Sequence, residues 1–289
     1  MTYARLFGFE RGAQPGLGAE IDGRLFDASV FLAERYRAQN LMTLVETGRL
    51  SDAAKSVAGN LTRLKDLTPG FVFSVPLRRP PKIIALVQNY QEHAAEFGAS
   101  APAEPVWFGK ISSSLTAHES EIVLPVWLEG RVDHEVELAV ILGRNGKDIA
   151  KERALDYVAG YSVVNDVSAR HLQKADRENK HPWLRCKNFD TFTPFGPWLV
   201  ASEAIPDPQN LKITCRVNGE TRQGSSTRQM IHPVAKLISV LSRYMTLEAG
   251  DVIATGTPAG VGKLVEGDIV ECEIEGVGAG DAAGGVLAC

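Results

Sequence analysis

The rhythm of apolar and polar positions along the chain changes near Pro81. Before it, Tyr3–Phe9 and Gly18–Phe26 have strand character, and Asp22-Gly23 is a pair that closes two-residue hairpins because both positions tolerate positive φ. From Val30 to Leu67 the apolar spacing is helical, interrupted near Gly48, with Ser51 placed to cap a second helix. Pro76–Pro81, carrying prolines and paired arginines, reads as a linker and helix breaker. Beyond it come short runs rich in Val, Ile and aromatics, separated by glycine turns. They are Lys82–Val87, Val106–Lys110, Glu121–Leu124, His134–Leu142, Gly160–Asn165, Trp198–Ala201, Lys212–Val217, Asp251–Thr255 and Asp268–Glu275. Only Val167–Ala175 and Pro233–Arg243 keep clear helical spacing. Strands without regular helical crossovers point to an α+β or mostly-β roll rather than a doubly wound parallel sheet. The pattern thus divides the chain into a small N-terminal α/β unit, residues 1–75, and a larger domain, residues 80–289. The last stretch, Gly276–Cys289, is rich in Gly and Ala and is expected to fray.

The most informative strand is Val132-Asp133-His134-Glu135-Val136-Glu137-Leu138-Ala139-Val140-Ile141-Leu142. Side chains alternate along a strand, so Val136, Leu138, Val140 and Leu142 form one apolar face. Glu135 and Glu137 share the opposite face, about 7 Å apart along the strand. In a cleft two such carboxylates repel, and one pKa rises unless a cation neutralises both. A third carboxylate, Asp166, ends the apolar run Gly160–Asn165, where a helix is expected to begin and to continue through Arg170. Three carboxylates without Cys or paired His suit a hard divalent cation, Mg²⁺ or Mn²⁺, better than zinc. Spacing alone leaves open a solvated strand face and a helix N-cap.

Composition narrows the function classes. Over 289 residues, 31 Lys plus Arg against 35 Asp plus Glu give a net charge of −4, which argues against a nucleic-acid partner. No apolar run approaches the ~20 residues of a membrane span, and the N-terminus lacks a secretory pattern. Cys186, Cys215, Cys272 and Cys289 show no Cys-x-x-Cys spacing. A cytoplasmic protein without membrane partners is the expectation. Gly256–Gly262 is glycine-rich but lacks the Lys-Ser/Thr ending of a phosphate loop, and no Gly-x-Ser-x-Gly elbow is present. Gly276-x-Gly278-x-Gly280 has no βαβ unit after it, which argues against dinucleotide binding. His118, His181 and His232 have no evident partners and read as surface or packing residues.

An ordered series of motifs then carries a resemblance. It comprises Asn89-Tyr90-x-x-His93-Ala94-x-Glu96, Glu135-x-Glu137, Asn165-Asp166-Val167-Ser168-Ala169-Arg170, Lys187-x-Phe189-Asp190-x-Phe192-x-Pro194-x-Gly196-Pro197, Val217-Asn218-Gly219-Glu220, Ser226-Thr227 and Gly256-Thr257-Pro258-x-Gly260-Val261-Gly262. Together these closely resemble the fumarylacetoacetate hydrolase superfamily, from about residue 80 to 275. The resemblance implies a mixed β-sandwich roll, a homodimer, one Mg²⁺ or Mn²⁺ per subunit, and a 2-oxo or β-diketo acid as substrate. Carried over position by position, it implies Glu135, Glu137 and Asp166 as metal ligands and Lys187 as a catalytic lysine. It further implies His93 and Glu96 as a water-activating dyad on a lid, and Arg170, Gln173, Thr257 and Tyr90 at the substrate. The chain departs from the usual pattern at His171, where many relatives have Asp, at Gln88 in the Val87-Gln88-Asn89-Tyr90 opening, and in the tail.

The residue types suit cleavage of a C–C bond between two carbonyls. Water attacks one carbonyl while the other fragment leaves as an enolate, which a divalent ion stabilises as a Lewis acid. On a lid helix His93 and Glu96 share one face, so Glu96 can orient His93 as general base. Lys187 would supply charge where an oxyanion develops, and Arg170, one helical turn after Asp166, could grip a carboxylate with two prongs. The leading expectation is therefore a metal-dependent acylpyruvate hydrolase. Oxaloacetate decarboxylation and 2-hydroxydienoate isomerisation are alternatives on the same metal–enolate site; a sugar-acid dehydratase or a non-catalytic metal-binding relative stand further off.

Overall fold

The computed structural model describes residues 2–92, 102–278 and 285–288, the last by their backbone course. At the N-terminus β1 (Arg5–Arg11), β2 (Gln14–Ile21) and β3 (Arg24–Asp27) form an antiparallel meander. Asp22 (φ 51°) and Gly23 (φ 78°) close the second hairpin, as that pair predicts. Helices α1 (Ser29–Tyr36), α2 (Leu41–Glu46) and α3 (Leu50–Ala58) follow. The expected helical stretch is thus broken twice. Arg37 turns left-handed at φ 55°, and Asn40 caps α2 by accepting the Thr43 N–H at 3.0 Å. Ser51 is not a cap: it lies inside α3, whose N-cap position is Arg49 without a side-chain bond. After Gly59-Asn60 the chain is no longer regularly α-helical, and β4 (Lys65–Asp66) and β5 (Val72–Ser74) complete a sheet of order β4-β3-β2-β1-β5.

The remaining strands build two facing sheets. The first contains β6 (Ile83–Val87), β7 (Val106–Lys110), β10 (Val136–Leu142), β11 (Val158–Asn165), β14 (Val200–Ala201) and β17 (Val252–Ala254), in the order β14-β11-β10-β17-β6-β7. Only β17 and β6 run parallel. The second contains β15 (Lys212–Val217), β16 (Glu220–Ser226), β18 (Ile269–Ile274) and β19 (Gly285–Ala288), in the order β16-β15-β18-β19. Two short pairs flank them: β8 (Leu115–Thr116) with β13 (Thr193–Pro194), and β9 (Val132–Asp133) with β12 (Ser168–Ala169). Helices α4 (Arg170–Glu178) and α5 (Val234–Tyr244) complete the regular elements used below. The fold class is α+β, a mixed β-sandwich roll with a small N-terminal α/β unit.

Three details differ from the sequence expectations. Glu121–Leu124 is irregular, β16 is an unanticipated polar edge strand, and β19 turns part of the Gly/Ala-rich tail into an edge strand. β16 escapes pattern reading because its sequence, ETRQGSS, has no apolar alternation to detect.

Strand β10 is buried along its whole length. Its Val136, Leu138, Val140 and Leu142 enter the core between the two sheets, with Ile213, Val217, Val270 and Ile274. Its other face, Ala139 and Ile141, packs into a second core with Leu6, Leu32, Ala54 and Val57 of the N-terminal unit. The strand that carries Glu137 is therefore clamped from both sides. No helix among the described residues is long and apolar enough to cross a membrane.

Leu138 is fully buried at the centre of the first core, whereas Val126 is wholly exposed. Leu138→Ala is expected to destabilise the protein by about 2–5 kcal/mol. Val126→Ala should stay within about 0.5 kcal/mol of the parent. Urea unfolding midpoints of the two variants check both.

Candidate functional site

The antiparallel pairing of β10 with β11 brings together residues far apart in sequence. The start of β10 lies beside the end of β11, with Val136 opposite Asn165 and Glu137 opposite Val164. Just beyond the ladder the Asp166 N–H donates to the Glu135 carbonyl at 2.9 Å. The Asn165 side chain accepts the Glu135 N–H at 2.8 Å. Glu135, Glu137 and Asp166 therefore converge, each offering an oxygen within 4.8 Å of the others. All three are buried, at 4%, 1% and 1% exposure. Glu135 and Glu137 line a cleft of about 680 Å³, with Asp166 beside them, and its wall includes Phe108, Arg131, Arg170, Gln173, Lys187 and Thr257.

Cations surround the carboxylates, and two of them, Lys187 and Lys110, are buried. The Lys187 ammonium donates to Glu135 at 2.8 Å and to Asp166 at 2.6 Å, and lies 5.2 Å from the centre of the Phe108 ring. Lys110 donates to the other Asp166 oxygen at 2.6 Å and to the Lys187 carbonyl at 2.5 Å. Arg170 reaches Asp133 at 2.8 Å, Glu135 at 2.5 Å and Gln173 at 2.8 Å. Arg131 pairs with the second Asp133 oxygen. Glu137 differs: its Oε2 accepts the Gly256 N–H at 2.7 Å, and no cation among the described residues lies within ion-pair distance of it. Gly256 holds φ 90°, and an added Cβ would lie 2.8 Å from that of Asn89, so only glycine presents its N–H here.

These surroundings set the protonation balance. Burial raises the Glu137 carboxyl well above its ordinary value, and the neighbouring charges of Asp166 and Glu135 push the same way. Burial would lower Lys187, but Asp166 and Glu135 outweigh it and hold the ammonium charged. For Lys110 burial wins despite Asp166, and its pKa falls. An electron-rich carboxylate without a cation partner, beside two further carboxylates, fits a hard divalent ion such as Mg²⁺ or Mn²⁺.

The structure brings Glu135, Glu137, Lys187, Arg170, Gln173 and Thr257 to the wall of this one cleft, with Asp166 against the two glutamates. His93 and Glu96 lie outside the described residues. Tyr90 is not brought to the cleft; its ring is fully buried in the core between the sheets, and its hydroxyl has no partner among the described residues. The expected helical path from Asp166 to Arg170 is also corrected: Ser168–Ala169 is extended and pairs with Val132–Asp133, and α4 begins only at Arg170. Arg170 accordingly grips protein carboxylates. Thr257 has its hydroxyl engaged, donating to the Val136 carbonyl at 2.8 Å and accepting from Gln223 at 2.7 Å.

Sequence reasoning missed Asp133, Lys110, Asn165 and Gln223. Asp133 was within reach, since the alternation that pairs Glu135 with Glu137 extends back to it. Lys110 ends an apolar strand and gave no local sign of its role; only the fold brings it to Asp166. Gln223 sits in the unrecognised β16 and ties Thr257, Pro258 and Val136 together.

Comparison with known proteins identifies the family. Residues 82–282 match the family model described as fumarylacetoacetate (FAA) hydrolase C-terminal. The mitochondrial oxaloacetate tautomerase Fahd2a of Rattus norvegicus is 40% identical over 272 residues, covering 91% of this chain and 84% of that protein. The solved fumarylacetoacetate hydrolase of Exiguobacterium antarcticum superposes with a TM-score of 0.84 at 34% identity, covering 99% and 98% of the two chains. Maleylpyruvate hydrolase from Sphingobium sp. SYK-6, solved with manganese(II) and pyruvate, gives 0.79 at 30% identity and 98% coverage of each. The chain belongs to the fumarylacetoacetate hydrolase family, whose members here include hydrolases, an isomerase and tautomerases.

Because Glu137 is raised above its ordinary 4.5, the native state binds its proton more tightly than the unfolded chain does. Its contribution to stability is full below about pH 4.5 and is lost as pH rises toward the raised value. Without divalent ions, wild type should therefore lose stability relative to Glu137→Gln as pH rises through that window. Roughly hundredfold excess of Mg²⁺ or Mn²⁺ over its Kd should raise the wild-type melting temperature by about 5 °C or more, and Glu137→Gln should lose most of that gain. Thermal unfolding as a function of pH, with and without the ion, reads both effects.

Proposed function

We propose that this member of the family is a divalent-cation-dependent enzyme that moves a proton at the carbon beside the carbonyl of a 2-oxo acid, interconverting the keto and enol forms of an oxaloacetate-like substrate. One observation carries the reading: three buried carboxylates converge at a cleft, with the charged Lys187 ammonium against two of them. The rat relative named as an oxaloacetate tautomerase supports it.

A divalent cation held by Glu135, Glu137 and Asp166 would supply Lewis acidity to the carbonyl oxygen of a 2-oxo acid. The chain's own charges are matched to such a ligand. Asp133, Glu135, Glu137 and Asp166 formally balance Lys110, Arg131, Arg170 and Lys187. A doubly charged ion added to this neutral cluster leaves two positive charges, which the carboxylate and enolate of a 2-oxo acid, together a dianion, offset. As a water molecule in the cleft takes the proton from carbon, the C–H electron pair becomes the C=C bond of the enol and the carbonyl π pair moves onto oxygen. That oxygen then takes a proton back from water, so that no net charge is gained or lost. Lys187, held charged by Asp166 and Glu135 and lining the same cleft, would be the hydrogen-bond donor to that oxygen. Arg170 and Asn165 fix Glu135, and the Gly256 N–H fixes Glu137, so the carboxylates need little rearrangement when the ligand arrives.

Hydrolytic C–C cleavage is the second reading, favoured by the Asn89-Tyr90-x-x-His93-x-x-Glu96 pattern and by the maleylpyruvate hydrolase neighbour. It uses the same enolate but adds a water: hydroxide joins one carbonyl carbon, the C–C bond breaks, and the departing enolate takes a proton to become the 2-oxo acid. His93 would then remove the water's proton, oriented by Glu96.

The two readings separate in one set of assays. Ketonisation of enol-oxaloacetate should be accelerated with Mg²⁺ or Mn²⁺, abolished by a chelator, and slowed about 10²–10³-fold in kcat by Lys187→Ala. Release of pyruvate from acylpyruvates that His93→Ala abolishes, with no acceleration of ketonisation, would replace the first reading by the second. Absence of both activities would sink the two together.

A further inference from the structure

The residue expected to grip the substrate carboxylate is already engaged. All three guanidinium nitrogens of Arg170 are committed, to Asp133, Gln173 and Glu135. A second anionic group on a substrate must therefore meet other cations. The same helix supplies them. Arg170, Gln173, Lys174, Arg177 and Glu178 all line the cleft, and their spacing of three, four, seven and eight residues defines one helix face. Helix α4 thus lays that face along the cleft, outward from the carboxylates. By helical rise, Lys174 lies roughly 6 Å and Arg177 roughly 10 Å along the axis from Arg170.

The outer charges are left unbalanced. Lys174 approaches Glu178 only at 3.9 Å, with both side chains well exposed, and Arg177 has no acidic partner among the described residues. Lys174, Arg177 and Glu178 together carry one net positive charge. The rest of the wall carries no charge: Leu86, Val87, Phe108, Trp183 and Val261 make it mainly apolar, and Gln88 adds a neutral amide. Beside a formally neutral inner cluster, this is the cleft's remaining uncompensated charge among the described residues.

We propose that Lys174 and Arg177 are specificity-determining residues of this site, selecting 2-oxo acids that bear a second carboxylate at the end remote from the 2-oxo group. The assignment rests on the 2-oxo-acid reading above and adds to it the part of the chain that reads the distal end. Arg177 offers a planar two-pronged donor, and Lys174 a point charge nearer the reacting carbons.

Binding of matched acids, each at its keto–enol equilibrium so that no net turnover adds heat, to the Mn²⁺-loaded full chain, followed by calorimetry, tests it. 2-Oxoglutarate and 2-oxovalerate have the same chain length and differ in a distal carboxylate against a methyl group; 2-oxoadipate and 2-oxohexanoate repeat the comparison one carbon longer. Wild type should bind the dicarboxylate about tenfold more tightly in at least one pair. The double variant Lys174→Gln/Arg177→Gln should lose that preference while holding the monocarboxylates within about twofold, and Lys174→Arg/Arg177→Lys should retain most of it. Equal affinity for both acids of each pair in wild type, or equal weakening of both acids in the double variant, overturns this assignment alone. Binding of none of the four acids overturns the 2-oxo-acid reading and this assignment with it.

Discussion

Lys187, Lys110 and four carboxylates are held almost entirely out of water, and each is tolerable only because the others are present. Moving an ion into a protein interior costs several kcal/mol, and an attractive partner repays this only at close range. The distances meet that condition: 2.6–2.8 Å from Lys187 to Glu135 and Asp166, and 2.6 Å from Lys110 to Asp166. Removing one partner strands the others, at a cost of about 3–5 kcal/mol. A hydrophobic plug of similar volume would be as stable, so the cluster is a poor device for stability. Its presence is better explained by what fixed charges do for a bound anion. They are already oriented before it arrives.

Holding mutually repelling carboxylates in place requires a rigid support, and this is where the fold enters. β10 has apolar packing on both faces, one against the second sheet and the other against the N-terminal unit. Its start and the end of β11 are adjacent because the two strands run antiparallel, so Glu135 and Asp166 meet across 30 residues of chain. A carboxylate on a loop could swing to water and escape the repulsion. Glu137, within a buried strand and bonded to a backbone N–H, has no such exit, and its pKa rises instead. The N-terminal unit thereby contributes to the site without supplying any of its charged residues.

Much of this was legible in the sequence where a local pattern carries the information. The period-two alternation located β10, identified its apolar face and aligned Glu135 with Glu137; the Asp22-Gly23 turn and the helical spacing of α5 were equally plain. What stayed hidden depends on contacts between distant segments. Lys110 carries no signal until β7 is placed beside β6, which brings the end of that strand to Asp166. The short extended segment Ser168–Ala169 reads as helix because its neighbours do, yet pairing with Val132–Asp133 overrides local propensity and redirects Arg170 onto Asp133. The ordered motifs named the family, but they could not show that Arg170 and Thr257 have their polar groups occupied by the protein itself.

That occupancy separates two tasks within the cleft. On the proposed reading, the inner cluster handles the part common to every 2-oxo acid, a carboxylate next to a carbonyl that becomes an enolate. Tautomerisation and C–C hydrolysis both pass through that species, so the inner residues cannot by themselves choose between them. The choice falls to whatever meets the rest of the substrate. A water-activating pair turns the enolate into a leaving group; without one, the enolate takes a proton back. Distal cations on an exposed helix face would, as proposed, decide which acids bind in the first place. A side chain there can change without disturbing a buried ion pair or a packed strand, at a cost typical of surface positions, whereas a change at Glu135 or Lys187 unbalances the whole cluster. Reaction and substrate range could thus diverge on one such frame, and the proteins similar to this chain carry the names of hydrolases, an isomerase and tautomerases.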